Sequence, residues 1–141
     1  MKILIKKIVF EEYTELIHML QSISSFIPEQ KLHEKIFHQF QNQKSQESIA
    51  LYDEEELIAF GVIFYEYKLR GGIVGHIEDI VVKDNYQRKG IGKKLIEELI
   101  KLGRIKKCYK YTLACSKSNI GFYESCGFKV NGINMSFLES N

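Results

Sequence analysis

Apolar residues recur with two different periods along the 141-residue chain, and these periods predict alternating strands and helices. The first half is predicted to contain a strand at 2–10, a helix from 11 to about 24, a helix at about 28–40, and strands at 48–52 and 57–67. Pro28, the one proline, suits the first position of the second helix. The acidic turn at residues 53–55 joins the two later strands as a hairpin.

The second half centres on residues 75–94, GHIEDIVVKDNYQRKGIGKK. A strand is predicted at 73–83. Within it, residues 76–82 form a nearly continuous apolar, β-branched run interrupted by Glu78 and Asp79, which is typical of a strand covered on both faces. From Ile91 to about Arg104 the apolar residues follow helical spacing. A strand at 109–115, a short helix at 117–126 and a closing strand at 128–137 are predicted after it. Helices that alternate with strands after a hairpin predict an α/β fold with a mixed sheet.

The central helix is predicted to begin directly after glycines, and this start is a candidate anion-binding site. The first N–H groups of a helix have no partner within it and lie at the positive end of its dipole. Gly90 and Gly92 let a phosphate approach the backbone without meeting a Cβ. Positive charge is added by Arg88, Lys89 and Lys93.

Two common phosphate loops do not fit these residues. A Walker A loop requires glycine where the chain has Gln87, and serine or threonine where it has Lys94. The dinucleotide-binding fingerprint requires a third glycine where Leu95 stands. An ordinary helix start, softened by glycine and flanked by surface lysines, remains the alternative to an anion site.

The motif Q-x-x-G-x-G after an apolar strand resembles the acetyl-CoA pyrophosphate loop of the GNAT acyltransferase superfamily. The strings GHIEDIVV, YQRKGIGKKLI and CYKYTLACSKSNIGFYESCGF, at this spacing, resemble glucosamine-6-phosphate N-acetyltransferases over nearly the whole of residues 60–137. The resemblance implies one GNAT domain over residues 1–141, with about six strands, about four helices and the order β-α-α-β-β-β-α-β-α-β. It also implies direct transfer of acetyl from acetyl-CoA to the amine of glucosamine 6-phosphate, in amino-sugar metabolism.

The resemblance also implies which residues contact the coenzyme. These are Ile80, Val81, Val82, Gln87, Arg88, Lys89, Gly90, Ile91, Gly92, Lys93, Asn119 and Tyr123. A backbone N–H within residues 80–82 would donate to the oxyanion that develops when the amine attacks the thioester. Asn119 is equally well explained as a helix-start residue.

Tyr123 is implied to lie at the sulfur of the coenzyme. A tyrosine has a pKa of about 10 and a thiol one of about 8.5, so a hydrogen bond to the departing thiolate is favoured over its full protonation. Aromatic packing of a short helix onto the sheet is the alternative role for this side chain.

Glu78 and Asp79 are implied to bind the sugar and its amine, and Asp79 is the preferred contact. An acid within an apolar strand is costly to bury unless it is paired, so these residues indicate a polar site in the sheet. Adjacent side chains of a regular strand point to opposite faces, so only one of the two is expected to face a given pocket. The alternative is that one acid is solvated and the other is paired with a lysine.

Composition and charge exclude several other classes. A net charge of +2 is too small to predict binding to nucleic acid or to a membrane surface. Three cysteines without a C-x-x-C pair predict reduced thiols, and hence a reducing compartment, the cytoplasm. No apolar run approaches the roughly 18–20 residues that span a bilayer, so a soluble protein is predicted. The N-terminal MKILIKKIVF contains Lys6 and Lys7, so it is predicted to be a strand and not a signal peptide. The four histidines lack metal-ligand spacing, so no metal is predicted. The resemblance separately implies a homodimer.

Two positions depart from the resembled enzymes. Ala114 stands where many of them have an acid, and Leu138 stands where they end in a basic residue that contacts the sugar phosphate. Other hypotheses therefore remain: an acetyltransferase for another primary amine, a non-catalytic acetyl-CoA-binding module, or a basic interaction domain built on the lysines at 88–107. Thiol release across a panel of amines distinguishes these hypotheses.

Overall fold

The structure, a computed structural model, describes residues 1–140, which form a five-stranded sheet in the order β1-β2-β3-β4-β5. The strands are β1 (Ile3–Lys6), β2 (Gln46–Asp53), β3 (Glu56–Tyr67), β4 (Ile73–Val82) and β5 (Lys110–Thr112). The helices are α1 (Tyr13–Leu20), α2 (His33–Gln41), α3 (Ile91–Ile105) and α4 (Ile120–Ser125). β1 to β4 are antiparallel and β5 is parallel to β4, so the predicted mixed α/β sheet is confirmed.

β3 lies at the centre of the sheet because its residues are apolar on both faces. Residues 57–63 are all buried. β3 pairs with β2 through the short acidic turn and with β4 through the loop at 68–72. A strand that is buried on both faces requires a layer of helices on each side, and the chain supplies both layers.

The two helical layers divide the core into two halves. On one side of the sheet, the helical spacing of α3 aligns Ile91, Leu95 and Leu99 on one face, and this face packs against β3. On the other side, Leu16 of α1 and Phe37 of α2 are buried against residues of β2, β3 and β4. The start of α3 is thereby fixed next to the end of β4.

The predicted boundaries of the first elements are wrong in two places. The first strand ends at Lys6, and not at residue 10, because Ile8 turns into the core on the α1 and α2 side, where it is 3% exposed. Pro28 is buried ahead of α2 and does not begin it. Its carbonyl oxygen lies 3.4 Å from Nε2 of His33, the first residue of α2.

The closing strand predicted at 128–137 is absent from the described residues, so the sheet has five strands and not six. The amide of Phe128 still donates to the carbonyl of Tyr123 at 3.0 Å, but within residues 1–140 no backbone hydrogen bond holds the segment that follows. A strand requires a neighbouring strand to pair with, and within the described chain no strand pairs with this segment. Residues 129–140, here called the C-terminal segment, are all exposed.

Within residues 1–140, every helix is too short or too polar to cross a bilayer.

Candidate functional site

The turn that leads into α3 has a left-handed backbone at two positions. The φ angles of Arg88 and Gly90 are 60° and 81°. Glycine adopts this conformation readily, whereas another residue loses roughly 1–2 kcal/mol in it. Gly90 is the N-cap of α3, and no side chain within residues 1–140 caps the helix there. The amides of the first turn are therefore available to an anion.

The two glycines of the turn serve different purposes. A Cβ on Gly90 would meet no atom within 4 Å, so Gly90 is required for its backbone conformation and leaves open space outside the turn. A Cβ on Gly92 would lie 3.0 Å from Cζ of Phe122 and 3.7 Å from Cγ2 of Val82. Gly92 therefore lets three elements meet: the start of α3, the end of β4, and α4 with Tyr123.

Side chains tie this turn to the rest of the protein. The amide of Gln87 donates to the carbonyl of Val82 at 3.1 Å, so its side chain turns back onto β4. The hydroxyl of Tyr86 lies 2.9 Å from carboxylate oxygens of both Asp53, which ends β2, and Glu56, which begins β3. The Nζ of Lys89 lies 5.4 Å from the centre of the Tyr86 ring. These contacts hold the turn against the sheet, and the space next to Gly90 remains open.

A gap opens between β4 and β5 beside this turn. The two strands pair only at residues 74–76 and 110–112, and the last pair joins His76 to Thr112. β4 continues to Val82 without a partner on that side within the described chain, while β5 ends. Ile80, Val81 and Val82 therefore line a free strand edge next to the start of α3.

Glu78 and Asp79 lie at the gap, but the strand is irregular between them and Ile80. Asp79 has a φ of 54°, and the pairing shifts so that Asp79 and Ile80 together lie opposite Gly61 of β3. This is a β-bulge, and the alternation of faces expected for a regular strand holds only as far as Glu78. Sequence periodicity does not reveal such a bulge.

The environment disfavours the charged forms of both acids, although both side chains reach solvent. Loss of surrounding water raises the pKa of Asp79 above its ordinary value. The same loss of water, followed by repulsion from Asp79, raises the pKa of Glu78. Two acids of this kind at one gap are suited to binding a cationic or hydrogen-bond-donating group.

Tyr123 is half-buried on α4, between two aromatic rings. Its ring centre lies 4.9 Å from that of Phe122 and 6.1 Å from that of Phe128, each in an edge-on arrangement. Burial, and then the thiols of Cys115 and Cys126, raise the pKa of the hydroxyl. The phenol therefore stays protonated at neutral pH and can donate a hydrogen bond. The packing role and the donor role proposed for Tyr123 are compatible.

Asn119 immediately precedes α4, as its helix-start interpretation predicted. Its side chain makes no capping hydrogen bond to α4. Capping therefore does not explain why an asparagine stands here, and its amide is not used by the start of the helix.

A polar network that the sequence did not reveal lies at the closed end of the gap. His76 places Nε2 2.8 Å from Oε1 of Glu66 on β3 and Nδ1 2.8 Å from Oγ1 of Thr112 on β5. The sequence contained a partial signal: pairing Tyr67 with Ile73 across the loop makes Glu66 a diagonal neighbour of His76. The third member depends on the register of β5, which the sequence does not specify.

No group of three or more potential metal ligands occurs within residues 1–140.

Known proteins share both the sequence and the fold of this chain. The model of the acetyltransferase (GNAT) family matches residues 13–128, and the chain therefore belongs to this family. The matched region contains the turn, both walls of the gap and Tyr123. It ends where the C-terminal segment begins.

Particular relatives are enzymes of one name. Glucosamine 6-phosphate N-acetyltransferase of Schizosaccharomyces pombe is 47% identical over 85 residues, which are 59% of this chain and 77% of that protein. Glucosamine 6-phosphate N-acetyltransferase 1 of Dictyostelium discoideum is 46% identical over 83 residues, 57% of this chain and 53% of that protein. The matched region thus spans only about half of the second relative.

The fold agrees with that of a solved relative. The crystal structure of glucosamine-6-phosphate N-acetyltransferase from Arabidopsis thaliana superposes with a TM-score of 0.89 at 26% identity. The superposition covers 99% of this chain and 100% of the other. The predicted GNAT fold is confirmed.

Proposed function

We propose that the protein transfers acetyl from acetyl-CoA to the amine of glucosamine 6-phosphate by direct attack. The observation that carries this proposal is the 47% identity with an enzyme of that name over 77% of its length. The open gap beside an uncapped helix start provides matching chemistry.

The coenzyme would lie along the start of α3, with its diphosphate on the amides of residues 88–93. Support comes from the open space at Gly90 and the uncapped first turn of the helix. The pantetheine arm would then follow the free edge at residues 80–82, and Asn119 would bind it from the opposite wall. This arrangement directs the thioester into the gap between β4 and β5.

The acceptor would be held by Glu78 and Asp79, with Asp79 on the bulge as the main contact. Both carboxylates border the gap, and an amine is a suitable partner for an acid that lacks a cation. The amine attacks the thioester carbonyl, a backbone amide of residues 80–82 stabilises the oxyanion, and the hydroxyl of Tyr123 donates to the departing thiolate. No covalent enzyme intermediate is required.

The test is the release of thiol from acetyl-CoA across a panel of amines. The panel contains glucosamine 6-phosphate, glucosamine, a polyamine, an aminoglycoside and a short peptide. We expect turnover with glucosamine 6-phosphate, and a higher KM for glucosamine shows whether the phosphate is recognised. Thermal melting with acetyl-CoA measures coenzyme binding separately, so a shift in Tm without turnover of any amine would identify a non-catalytic module.

One observation favours a different acceptor as the second candidate. Ala114 and Leu138 provide no acid and no base where the resembled enzymes use them. An acetyltransferase for another primary amine would bind acetyl-CoA equally well and release thiol with another member of the panel. Selective turnover of that amine would replace glucosamine 6-phosphate in the proposal.

We also propose that the protein is a homodimer in which the C-terminal segment packs on a second copy. The segment exposes Ile133 by 93%, Met135 by 89% and Phe137 by 88%, a spacing of two that is typical of a strand. An exposed apolar run of this kind indicates an interaction surface.

Three unpaired thiols in the described chain further support a reducing compartment, the cytoplasm, for this protein.

A further inference from the structure

Three neighbouring strands contribute one side chain each to a continuous hydrogen-bonded row. Because a carboxylate only accepts, Nε2 of His76 carries the proton and donates to Glu66 at 2.8 Å. In the neutral imidazole Nδ1 is then the acceptor, and the hydroxyl of Thr112 donates to it at 2.8 Å. The row therefore has a defined direction, from Thr112 through His76 to Glu66.

The row connects the gap to the protein surface. His76 and Thr112 form the last pair before β4 and β5 separate, so the hydroxyl stands at the closed end of the gap. Glu78 lies two residues beyond His76, on the same face of β4. At the other end, the side chain of Glu66 is 45% exposed.

Charged groups surround the imidazole on two of the three strands. On β3, Glu66 faces Nε2 and is itself paired with Nζ of Lys68 at 3.0 Å. On β4, Glu78 lies near enough for its charge to interact with His76. On β5, the nearest charged residue is Lys110, which pairs with Val74 and not with His76. Hydrogen bonds from His76 and then Lys68 lower the pKa of Glu66, so it remains an anion at neutral pH.

Acetyl transfer requires a neutral amine, yet the chain that follows β5 offers no acid at position 114, where Ala114 stands. We propose that Thr112, His76 and Glu66 form a relay that takes the ammonium proton of the acceptor from the gap to solvent. This inference rests on the proposed acetyl transfer and assigns the proton path within the same site.

The proton steps balance. The N–H bond of the ammonium breaks and its proton goes to Oγ1 of Thr112, whose own proton goes to Nδ1 of His76. The resulting imidazolium is held by the carboxylate of Glu66 and loses its proton to solvent. The freed nitrogen lone pair forms the N–C bond to the thioester carbonyl, and the C–S electron pair leaves with the sulfur, to which Tyr123 donates.

The test compares His76→Gln and Thr112→Val with the wild-type chain across pH. Glutamine retains a donor to Glu66 but does not take up a proton, and valine has the shape of threonine without its hydroxyl. We expect kcat to fall about 10²-fold below the pKa of the acceptor amine, at the low end of general acid–base effects. The deficit should shrink as pH rises, because the amine then reaches the site already neutral.

Two control variants separate a relay from a structural role. Thr112→Ser restores the hydroxyl and should recover most of the rate. His38→Gln removes an exposed histidine that lies 3.8 Å from Glu34 on α2, away from the gap, and should change nothing. A low-pKa acceptor such as hydroxylamine, which is neutral at pH 7, should be acetylated equally by wild type and variants.

Contrary outcomes are also distinct. Losses that are equal at every pH and for both acceptors, together with a lower Tm, would show that His76 only ties the strands together and would overturn the relay. Unchanged pH profiles would overturn it too. If none of the amines in the panel causes the wild-type chain to release thiol, both the proposed function and the relay are wrong. If the wild-type chain turns over normally and the variants have the same pH profile, only the relay is wrong.

Discussion

At the scale of single residues, Tyr123 has the clearest chemical role to test. Burial raises the pKa of its hydroxyl, so transfer of the whole proton to a thiolate is even less favourable than for an exposed tyrosine. We expect Tyr123→Phe to lower kcat about 10²-fold, because the phenol contributes a hydrogen bond in the transition state. Stopped-flow measurement of thiol release isolates the chemical step. Tyr109→Phe, which changes an exposed tyrosine immediately before β5, is the control.

An unaltered chemical step in Tyr123→Phe would leave this side chain with packing alone, between Phe122 and Phe128.

Asp79 gives a prediction about stability and pH. Its pKa is raised in the folded protein, so at neutral pH the ionised carboxylate costs more in the folded state than in the unfolded one. We expect Asp79→Asn to raise Tm at pH 7 while acetyl transfer falls. The gain should vanish below about pH 4, where the carboxyl is protonated in both states.

Glu66→Gln should change Tm at pH 7 in the opposite direction from Asp79→Asn, that is, it should lower Tm. The pKa of Glu66 is lowered by His76 and Lys68, so its stabilising contribution exists above the unfolded pKa and is lost as pH falls through the folded one. A variant at Asp79 that melts below wild type at pH 7 would contradict the proposed cost of its charge.

The sequence singled out the two acids and the tyrosine as candidates, but it did not predict how the chain positions them. The apolar context of Glu78 and Asp79 made them visible, whereas the bulge depends on Gly61, which lies on another strand. The hydrogen bonds of His76 were not predicted for the same reason. Its partners lie on β3 and β5, and only the strand register brings them next to it.

At the scale of elements, substitutions of the two glycines before and within α3 should affect coenzyme binding and the chemical step differently. Gly90→Ala forces a side chain into the left-handed region at a cost of roughly 1–2 kcal/mol and disturbs the amides that would bind the diphosphate. We expect KM for acetyl-CoA to rise with a smaller change in kcat. Steady-state kinetics with varied acetyl-CoA measure this split.

Gly92→Ala should behave differently, because its Cβ would press on Phe122 at 3.0 Å and displace α4 with Tyr123. A fall in kcat is expected there. Gly121→Ala is the matched control, since a Cβ on Gly121 meets no atom within 4 Å and the residue lies inside a helix. Equal effects from all three substitutions would argue against distinct roles.

Element types were predictable from periodicity, but their ends were not. β5 was predicted over 109–115 and is observed at Lys110–Thr112, because the strand leaves β4 where the gap opens. The short helix predicted at 117–126 is confirmed as α4 after a single turn at 117–119. Ends of this kind are set by pairing across the sheet, which local sequence does not encode.

At the scale of the whole molecule, the C-terminal segment makes a prediction about assembly. Deleting residues 130–141 leaves Phe128 with its hydrogen bond to Tyr123, so we expect the shortened chain to fold. We expect it to be monomeric in light scattering, where the full chain is dimeric. Ile133→Ser with Phe137→Ser should weaken the dimer without shortening the chain.

A shortened chain that remains dimeric would move the interface elsewhere, and a full chain that is monomeric would remove the homodimer from the proposal. The apolar alternation of this segment predicted a strand, which the described residues do not form, because a strand also needs a partner. Nothing in the local pattern states whether that partner belongs to the same copy.

The bulge also has a mechanical consequence. A methyl group at position 61 would come within 2.6 Å of Cδ1 of Ile80. It would also lie 3.0 Å from Leu99 and 3.3 Å from Leu95, so it could not move toward α3 to avoid Ile80. The position of Ile80 beside the gap therefore requires that residue 61 of the neighbouring strand β3 has no side chain. Repacking the interior around Gly61 would retune the gap without altering any side chain that meets a ligand.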